Sequence, residues 1–167
     1  MATGDRPTAV AADGNVRIFW VTTLTLSAPT VAQLTAGTEL SYYLTPDGFN
    51  PTTDEQEITD DRLADTQTYE NRGRHRFGLG QIRYVTNPAA PTHDVAATTL
   101  VDDAAGYFVV RWGIDADTAW VAAQLVDIFP VRMGFQNPQP PEANSVLHIT
   151  QRAFVTGAVR QRVAVAA

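Results

Sequence analysis

The segment Leu40-Ser-Tyr-Tyr-Leu-Thr-Pro-Asp-Gly-Phe-Asn-Pro51, with its continuation to Tyr84, decides the fold of this chain. Leu40, Tyr42 and Leu44 alternate along one side of a predicted strand, and the Pro46-Asp47-Gly48 sequence predicts a tight turn that ends it. The stretch that follows is too long for an ordinary connection of about two to six residues. Loops of this length are either functional or disordered, and the aromatic and β-branched residues here favour an ordered one.

The sign of the charge changes along the segment from Asp54 to Arg76. Its first block is acidic and contains Asp54, Glu55, Glu57, Asp60, Asp61, Asp65 and Glu70. Arg72, Arg74 and Arg76 follow, and they lead into a glycine-broken strand from Phe77 to Tyr84. Adjacent blocks of opposite charge favour a surface that docks onto another copy of the chain over a pocket for a small substrate.

Composition limits the possible classes of protein. The chain has 167 residues, of which 44% are hydrophobic and 18% charged. The charged fraction is below the usual value of about 25%, which favours a surface partly covered by other protein. A formal charge of −6 argues against a nucleic-acid-binding module, and the absence of cysteine excludes disulfides, thiolate zinc sites and thiol nucleophiles. The length predicts a single domain.

No targeting or membrane segment is visible in the sequence. The first residues lack an apolar signal-peptide core, and the longest apolar runs, such as Ile18 to Val21, are too short to span a bilayer. We therefore expect a soluble cytoplasmic product with no membrane anchor.

The local patterns predict a mainly β protein. We expect a flexible N-terminal arm over residues 1–14, a short helix over 27–37 that begins with the Thr30/Gln33 capping box, and a less regular helix over 115–124. Strands are predicted over residues 15–21, 39–44, 55–59, 106–112, 125–133 and 146–156, with a hairpin pair over 67–85 that bends near Gly80 and a last strand in the 158–167 tail. Residues 134–145 are predicted to be an extended linker. Seven or eight short strands indicate an antiparallel β-sandwich or barrel.

Two of these strands, residues 15–21 and 106–112, carry apolar side chains on both faces. A half-buried strand of a monomer alternates more cleanly, so this pattern favours further protein cover.

Residues that carry chemistry are sparse. The three serines lie outside any nucleophile elbow, the three histidines are scattered, and a chain without lysine has no P-loop. Asp47, Asn50 and the Asp60-Asp61 pair are candidate calcium ligands, but a solvated or ion-paired surface explains them better. The sequence predicts no enzyme, no catalytic site, no cofactor and no metal.

Several strings of the sequence are similar to one family. Tyr43-Leu-Thr-Pro-Asp-Gly-Phe-Asn-Pro-Thr-Thr-Asp-Glu-Gln-Glu-Ile-Thr-Asp-Asp-Arg-Leu63 resembles the strand and loop of major tail tube proteins from long, non-contractile-tailed (siphovirus-type) bacteriophages, particularly those of actinobacterial hosts. Val126-Asp-Ile-Phe-Pro-Val131, Pro140-Pro-Glu-Ala-Asn-Ser-Val146 and Gln151-Arg-Ala-Phe-Val-Thr-Gly157 resemble the C-terminal half of the same family.

The resemblance implies a structural protein of the virion, made in the host cytoplasm. Family members form β-sandwich protomers that close into hexameric rings, and the rings stack through a long loop, here about residues 45–75, and through terminal arms. The implied partners are other copies of the chain, a tape-measure protein during assembly, tail terminator and tail-tip proteins at the ends, and phage DNA passing transiently through the lumen.

In a tube of stacked rings of this kind, we expect two roles for the charged residues. Asp54, Asp60 and Asp61 meet Arg72, Arg74 or Arg76 of a neighbouring copy, and Glu55 belongs to the same self-association surface. Glu57 and Glu70 are candidates for the lumen, where negative charge repels the phosphate backbone so that DNA slides.

Two alternatives remain open at this point. The first is a tail terminator, or the inner tube of a related contractile injection machine. The second is a carbohydrate-binding or enzymatic β-sandwich, which would need an exposed aromatic platform or a clustered acid pair. Trp20, Trp112 and Trp120 are its candidates, although their apolar surroundings favour packing in the core.

Overall fold

The computed structural model describes residues 8–167 and has nine strands and two five-residue helices within them. In chain order the elements are β1 (Val16–Val21), α1 (Val31–Thr35), β2 (Thr38–Glu39), β3 (Thr52–Asp60), β4 (Tyr69–Gly78), β5 (Gln81–Val85), α2 (Val95–Thr99), β6 (Ala105–Trp112), β7 (Leu125–Pro138), β8 (His148–Val155) and β9 (Arg160–Ala164). The prediction of a mainly β, antiparallel fold with one or two short helices is confirmed.

The chain forms two compact units. The first contains residues 8–43, Ala105–Pro130 and Gly157–Ala167, and its strand order is β2-β1-β6-β7, with β9 paired to β7. Its core cluster includes Phe19, Leu34, Val109 and Ile128, each at most 5% exposed. That the chain forms one domain stays a prediction.

Helix α1 contributes Leu34 to this core and follows its sequence signals closely. The Gln33 backbone N–H donates to Thr30 Oγ1 at 3.3 Å, and the Thr30 N–H donates back to Gln33 Oε1 at 3.2 Å. This reciprocal capping box satisfies two helix-end donors. The helix ends at Thr35 and Ala36 is its C-cap, just before the predicted stop at Gly37.

Strand β1 is buried on both faces by its own chain. Ile18 and Trp20 lie on one face and Phe19 and Val21 on the other, and none is more than 6% exposed. Trp20 packs edge-on against Phe108 with ring centroids 5.1 Å apart. The apolar pattern on both faces therefore needs no neighbouring copy to explain it.

The second unit contains Leu44–Ala104 and Val131–Thr156. Here the end of β7 pairs with β8, β8 pairs with β5, and β3 and β4 form a separate two-stranded sheet. Side chains from β5, β7 and β8 fill the interior, including Ile82, Tyr84, Met133 and Ala153.

The Pro46-Asp47-Gly48 turn covers the outer edge of β5. The Thr45 N–H donates to Arg83 O and the Arg83 N–H donates to Gly48 O, both at 3.1 Å. A Cβ at Gly48 would lie 2.1 Å from Arg83 O, so only glycine fits this close approach. The predicted turn thus closes an edge that would otherwise be open for pairing.

The strand predicted over residues 39–44 is wrong beyond Glu39. The chain turns at once, because the Tyr43 N–H donates to Leu40 O at 3.0 Å, and Tyr42 is 68% exposed. The Ser41 hydroxyl accepts from the Ile18 N–H at 2.9 Å and occupies a position where a longer strand would pair.

The helix predicted over residues 115–124 is also wrong. Two arginines from neighbouring strands bind carbonyl oxygens that a helix would have used for its own hydrogen bonds. Arg17 donates to Thr118 O at 2.7 Å, and Arg111 donates to Asp115 O at 2.7 Å. Their guanidinium groups lie 5.5 and 4.9 Å from the Trp120 ring centroid, so they hold the loop by stacking as well.

Three further predictions need correction. The strand predicted over residues 55–59 is part of the longer strand β3, so the first four acidic residues of the run lie on a strand rather than in a loop. Residues 134–138 continue β7 rather than begin a linker. The 67–85 segment does bend at Gly80, which has φ +62°, but β4 pairs with β3 and β5 pairs with β8 instead of with each other. Helix α2 was not predicted, because its Val-Ala-Ala-Thr-Thr sequence has little helical signal.

The terminal segments differ in their contacts. Of the predicted N-terminal arm, residues 8–13 are exposed, and residues 1–7 lie outside the described part of the chain. The last strand is confirmed: β9 pairs with β7, and Val165 beyond it is 3% exposed.

Candidate functional site

The most unusual element is the β3–β4 hairpin, residues 52–78. Each side chain of β3 from Thr52 to Thr59 is exposed, and β4 is exposed except at Gly73, Phe77 and Gly78. The outer edge of β3 has no strand partner within residues 8–167. A two-stranded ribbon exposed on both faces is marginally stable in water, so this hairpin has the properties of an element completed by a partner.

A bulge in β4 sets the side-chain orientation along the hairpin. Glu55 pairs with His75 but Glu57 pairs with Arg72, so Gly73 and Arg74 together oppose the single residue Gln56. A Cβ at Gly73 would lie 2.8 Å from Gln56 O, so the bulge requires glycine there.

The register divides the hairpin into two faces, because cross-strand partners point to the same side. The glutamate face carries Thr53, Glu55, Glu57 and Thr59 of β3 and Glu70, Arg72, His75 and Phe77 of β4. The aspartate face carries Asp54, Ile58 and Asp60 of β3 and Tyr69, Asn71 and Arg76 of β4.

The two predicted groups of charged residues separate only in part, because Glu55 and Arg72 of the self-association group also lie on the glutamate face. Both lumen candidates, Glu57 and Glu70, lie on the glutamate face, together with Glu55. Asp54 and Arg76 lie opposite each other on the aspartate face.

Three of the predicted self-association residues, Glu55, Asp60 and Arg72, have ion-pair partners in their own chain. Arg72 pairs with Glu55, and Arg62 binds both carboxylate oxygens of Asp60 at 3.1 and 3.2 Å. These pairs are exposed, and such pairs contribute about 0–1 kcal/mol each.

The other self-association residues are free to pair elsewhere. Within residues 8–167 no ion pair forms at Asp54, Asp61, Arg74 or Arg76. Pairing of these side chains between copies stays a prediction.

A second exposed feature was missed by the sequence reading. The register of β7 and β8 shifts between Met133 and Gln136, and this bulge turns Phe135 outward so that it is 81% exposed. Phe154 on β8 is 47% exposed and stacks under the Arg152 guanidinium at 5.0 Å. The sequence pattern did not predict this bulge, after which burial in β7 moves from odd to even positions.

These aromatic residues line an open groove of about 730 Å³, which Asp102, Asp103 and Arg132 also line. Arg132 forms an ion pair with Asp103 at its edge. Arg152 and Phe154 also line a smaller cavity of about 330 Å³ at the base of the hairpin, with Thr52, Asp54, Arg76 and Phe77.

The candidate ligand sites find little structural support. The described residues contain no cluster of three or more histidine, aspartate or glutamate side chains that could hold a metal ion. Asp47 instead pairs with Arg83 at 3.3 Å, and a hydrogen bond from Thr45 is the main cause that lowers the Asp47 pKa. No helix within residues 8–167 is long and apolar enough to cross a membrane.

The three tryptophans do not form a platform. Trp20 and Trp120 are 3% and 7% exposed, as expected for core residues. Trp112 is 47% exposed, and its indole N–H donates to Asp127 Oδ2 at 2.8 Å.

Comparisons with known proteins agree with this geometry. A family model described as phage tail tube protein matches residues 3–167. No curated protein gives a significant match. Among solved structures, a chain of the anti-feeding prophage baseplate, determined by cryo-electron microscopy and six-fold symmetrised, has a TM-score of 0.50 at 8% identity. The alignment covers 92% of this chain and 96% of that one, and at this identity it shows a shared fold.

Proposed function

Because the chain belongs to the phage tail tube protein family and is a structural protein of the phage tail, we propose that it forms hexameric rings that stack into a siphovirus-type tail tube. The tube is the conduit through which DNA reaches the host. The six-fold symmetrised baseplate that contains a chain of similar fold supports the choice of six copies. The resemblance of the Tyr43–Leu63 segment supports an actinobacterial host.

The β3–β4 hairpin is the observation that carries this proposal. It presents seven carboxylates and four arginines on a ribbon whose outer edge has no strand partner in the described part of the chain. Such a ribbon does not bury enough apolar surface to be stable alone. Contacts with neighbouring copies would supply the missing burial and the missing charge partners.

The proposed partners follow from this role. Besides its own copies, the chain contacts a tape-measure protein during assembly, and tail terminator and tail-tip proteins at the ends of the tube. Phage DNA passes without specific binding. The protein is made in the host cytoplasm and becomes part of the virion, and we propose no catalytic role for it.

The glutamate face supports a lumen assignment. Glu55, Glu57 and Glu70 share this face with only Arg72 and His75 as basic neighbours. A net negative wall would repel DNA phosphates and let the molecule slide during ejection. In this arrangement the aspartate face is the one available for contacts between copies.

Electron microscopy of the concentrated, purified chain tests the proposal. We expect tubes of uniform diameter with a central channel. Single rings that never stack would favour a tail terminator, and a sheath around the tube in intact virions would favour a contractile machine. A chain that stays monomeric at every concentration and salt would refute self-assembly, and glycan binding in that case would revive the β-sandwich alternative.

The double variant Arg74→Glu/Arg76→Glu tests which residues mediate assembly. Both side chains are exposed and unpaired within the described residues, so the fold should change by less than about 0.5 kcal/mol. We expect the variant to fold normally and lose most tube formation. Arg160→Glu is a control, since it reverses an exposed charge outside the hairpin. Tubes of the double variant with wild-type yield and salt sensitivity would contradict the pairing hypothesis.

A further inference from the structure

Strand β6 places an arginine at a core position. Arg111 and Val109 point to the same face of the strand, and Val109 belongs to the core cluster of the first unit. Arg111 is 0% exposed. Burial lowers the pKa of its guanidinium, because removal from water disfavours the charged form. Buried charges are normally paired with an opposite charge, so the partners of Arg111 need an account.

The hydrogen-bond partners of Arg111 are all neutral. Its two terminal nitrogens donate to Asp115 O at 2.7 Å, Gln124 Oε1 at 3.1 Å and Ala119 O at 3.3 Å. A guanidinium has one further donor, the Nε–H group. The Arg111 Nε atom is buried and has no acceptor within residues 8–167.

Two carboxylates attract Arg111, but the hydrogen bonds that they form in the described part of the chain go to other groups. Glu39 binds Arg17 through both of its oxygens, at 3.1 and 3.0 Å. Asp115 Oδ1 accepts from the Asp117 N–H at 2.9 Å. The ion pair with Glu39 therefore balances the charge of Arg17, whereas the guanidinium of Arg111 is held by neutral oxygens.

Trp120 presents a second donor of this kind beside Arg111. The Arg111 guanidinium lies 4.9 Å from the centroid of the Trp120 ring, and Trp120 is 7% exposed. The Trp120 Nε1 atom is also buried without an acceptor in the part of the chain that the structure describes. A buried indole N–H usually finds a partner. Two orphaned donors thus belong to neighbouring side chains, and one of these side chains carries a buried positive charge.

We propose that one small monovalent anion of the halide class binds between Arg111 Nε and Trp120 Nε1. A halide accepts from both N–H groups and balances the guanidinium charge. A water molecule would leave that charge unbalanced and would bring two hydrogens that need acceptors of their own. The anion joins residues 115–124 to strand β6, because Trp120 lies in that segment and Arg111 lies on the strand. The site belongs to the single chain and is independent of tube formation.

The stability of the single chain in different sodium salts tests the site. Gluconate is replaced by chloride at constant ionic strength, and urea unfolding is followed by circular dichroism at concentrations where sedimentation shows single copies. A ligand that binds only the folded chain multiplies the folding equilibrium constant by one plus its concentration divided by Kd. We expect a saturable rise in that constant, about elevenfold when chloride reaches ten times Kd.

Two tryptophan variants separate binding at this site from a general salt effect. Trp120→Phe keeps an aromatic ring and removes the orphaned N–H, so most of the chloride dependence should be lost. Trp112→Phe is the matched control, because the Trp112 N–H already donates to Asp127, and it should keep the dependence. Equal dependence in the two variants would overturn the proposal. No saturable dependence in the natural chain would also overturn it and would leave water as the partner of these donors.

Bromide gives a second readout, which applies even if Trp120→Phe does not fold. A bromide ion in contact with an indole quenches its fluorescence by the heavy-atom effect. The Trp112→Phe variant lacks the half-exposed tryptophan and keeps Trp20 and Trp120, which are both buried. We expect bromide to quench this variant saturably and chloride to reverse the quenching. Quenching that stays linear in bromide and does not respond to chloride would show that no halide site contacts Trp120, and the inference would fail.

Discussion

The substitution Gly48→Ala should destabilise the unit that contains β5 far more than an ordinary surface change. A Cβ at residue 48 would lie 2.1 Å from Arg83 O and 2.7 Å from Thr45 Oγ1. The hydroxyl can rotate away, but the Arg83 carbonyl belongs to the backbone of β5. The turn must therefore move away from the strand by about an ångström to restore an ordinary contact distance.

That movement breaks the two hydrogen bonds that hold the turn on β5. Thr45 N–H to Arg83 O and Arg83 N–H to Gly48 O are both 3.1 Å long. Each is worth about 0.5–1.5 kcal/mol, and a polar group left buried without a partner costs about 1–3 kcal/mol. We expect a total loss of about 2–4 kcal/mol in the free energy of unfolding.

The matched control is Gly78→Ala. A Cβ there would meet only the Thr52 hydroxyl at 3.1 Å, and a rotatable side chain can yield. We expect this variant to lie within about 1 kcal/mol of the natural protein.

Urea unfolding followed by circular dichroism measures both variants at concentrations where sedimentation shows single copies. With a slope of about 2 kcal/mol per molar urea, Gly48→Ala should lower the midpoint by about 1–2 M. If its midpoint equals that of Gly78→Ala, the close contact between the turn and β5 does not require glycine at position 48.

Other predictions address the core and the pH dependence of stability. Trp120→Ala should cost about 3–5 kcal/mol in chemical unfolding, because the ring is buried and lies against two guanidinium groups, whereas half-exposed Trp112→Ala should cost clearly less. Burial raises the pKa of Tyr84, and the hydrogen bond to Asp117 raises the pKa of Tyr42, so ultraviolet titration should show two phenols that stay protonated above pH 10.0. The contribution of buried Tyr84 to stability should be lost as pH rises further. A hydrogen bond from Arg132 lowers the pKa of Asp103, so this pair should stabilise the fold above pH 3.8 and less as pH falls below it. Replacement Asp103→Asn should reduce that acid dependence, and an unchanged profile would contradict the assignment.

Local patterns predicted the elements whose cause is local. The capping box located α1, and the β-branched and aromatic content located β1, β6 and β8. The change from odd to even apolar positions after Leu79 predicted the bend at Gly80. Gly80 has φ +62°, a backbone conformation that glycine adopts more easily than other residues.

Patterns failed where distant residues decide the structure. The sequence of residues 115–124 predicts a helix. In the structure Arg17 and Arg111, from strands β1 and β6, donate hydrogen bonds to carbonyl oxygens of this segment, and it forms a loop. Gly80 marks a break between β4 and β5, but no local signal tells that β5 pairs with β8, about 70 residues further along the chain.

Only those features of the candidate site that local sequence determines were predicted. Charge blocks are visible in a sequence, so the acidic and basic halves of the hairpin were found. Their division into two faces depends on the bulge at Gly73, and the exposure of Phe135 depends on a second bulge in β7. Bulges change which side a residue faces without a reliable sequence signature.

The outer edge of β3, which has no strand partner within residues 8–167, limits how copies of the chain can meet in the proposed tube. An edge strand of this length invites random pairing between newly made chains, yet β3 carries Asp54, Glu55, Glu57 and Asp60. Antiparallel pairing of two such strands would bring these carboxylates together, and their repulsion opposes it. The neighbouring copy that completes this edge in the proposed tube should therefore present a different surface, and contacts between two β3 edges should be rare.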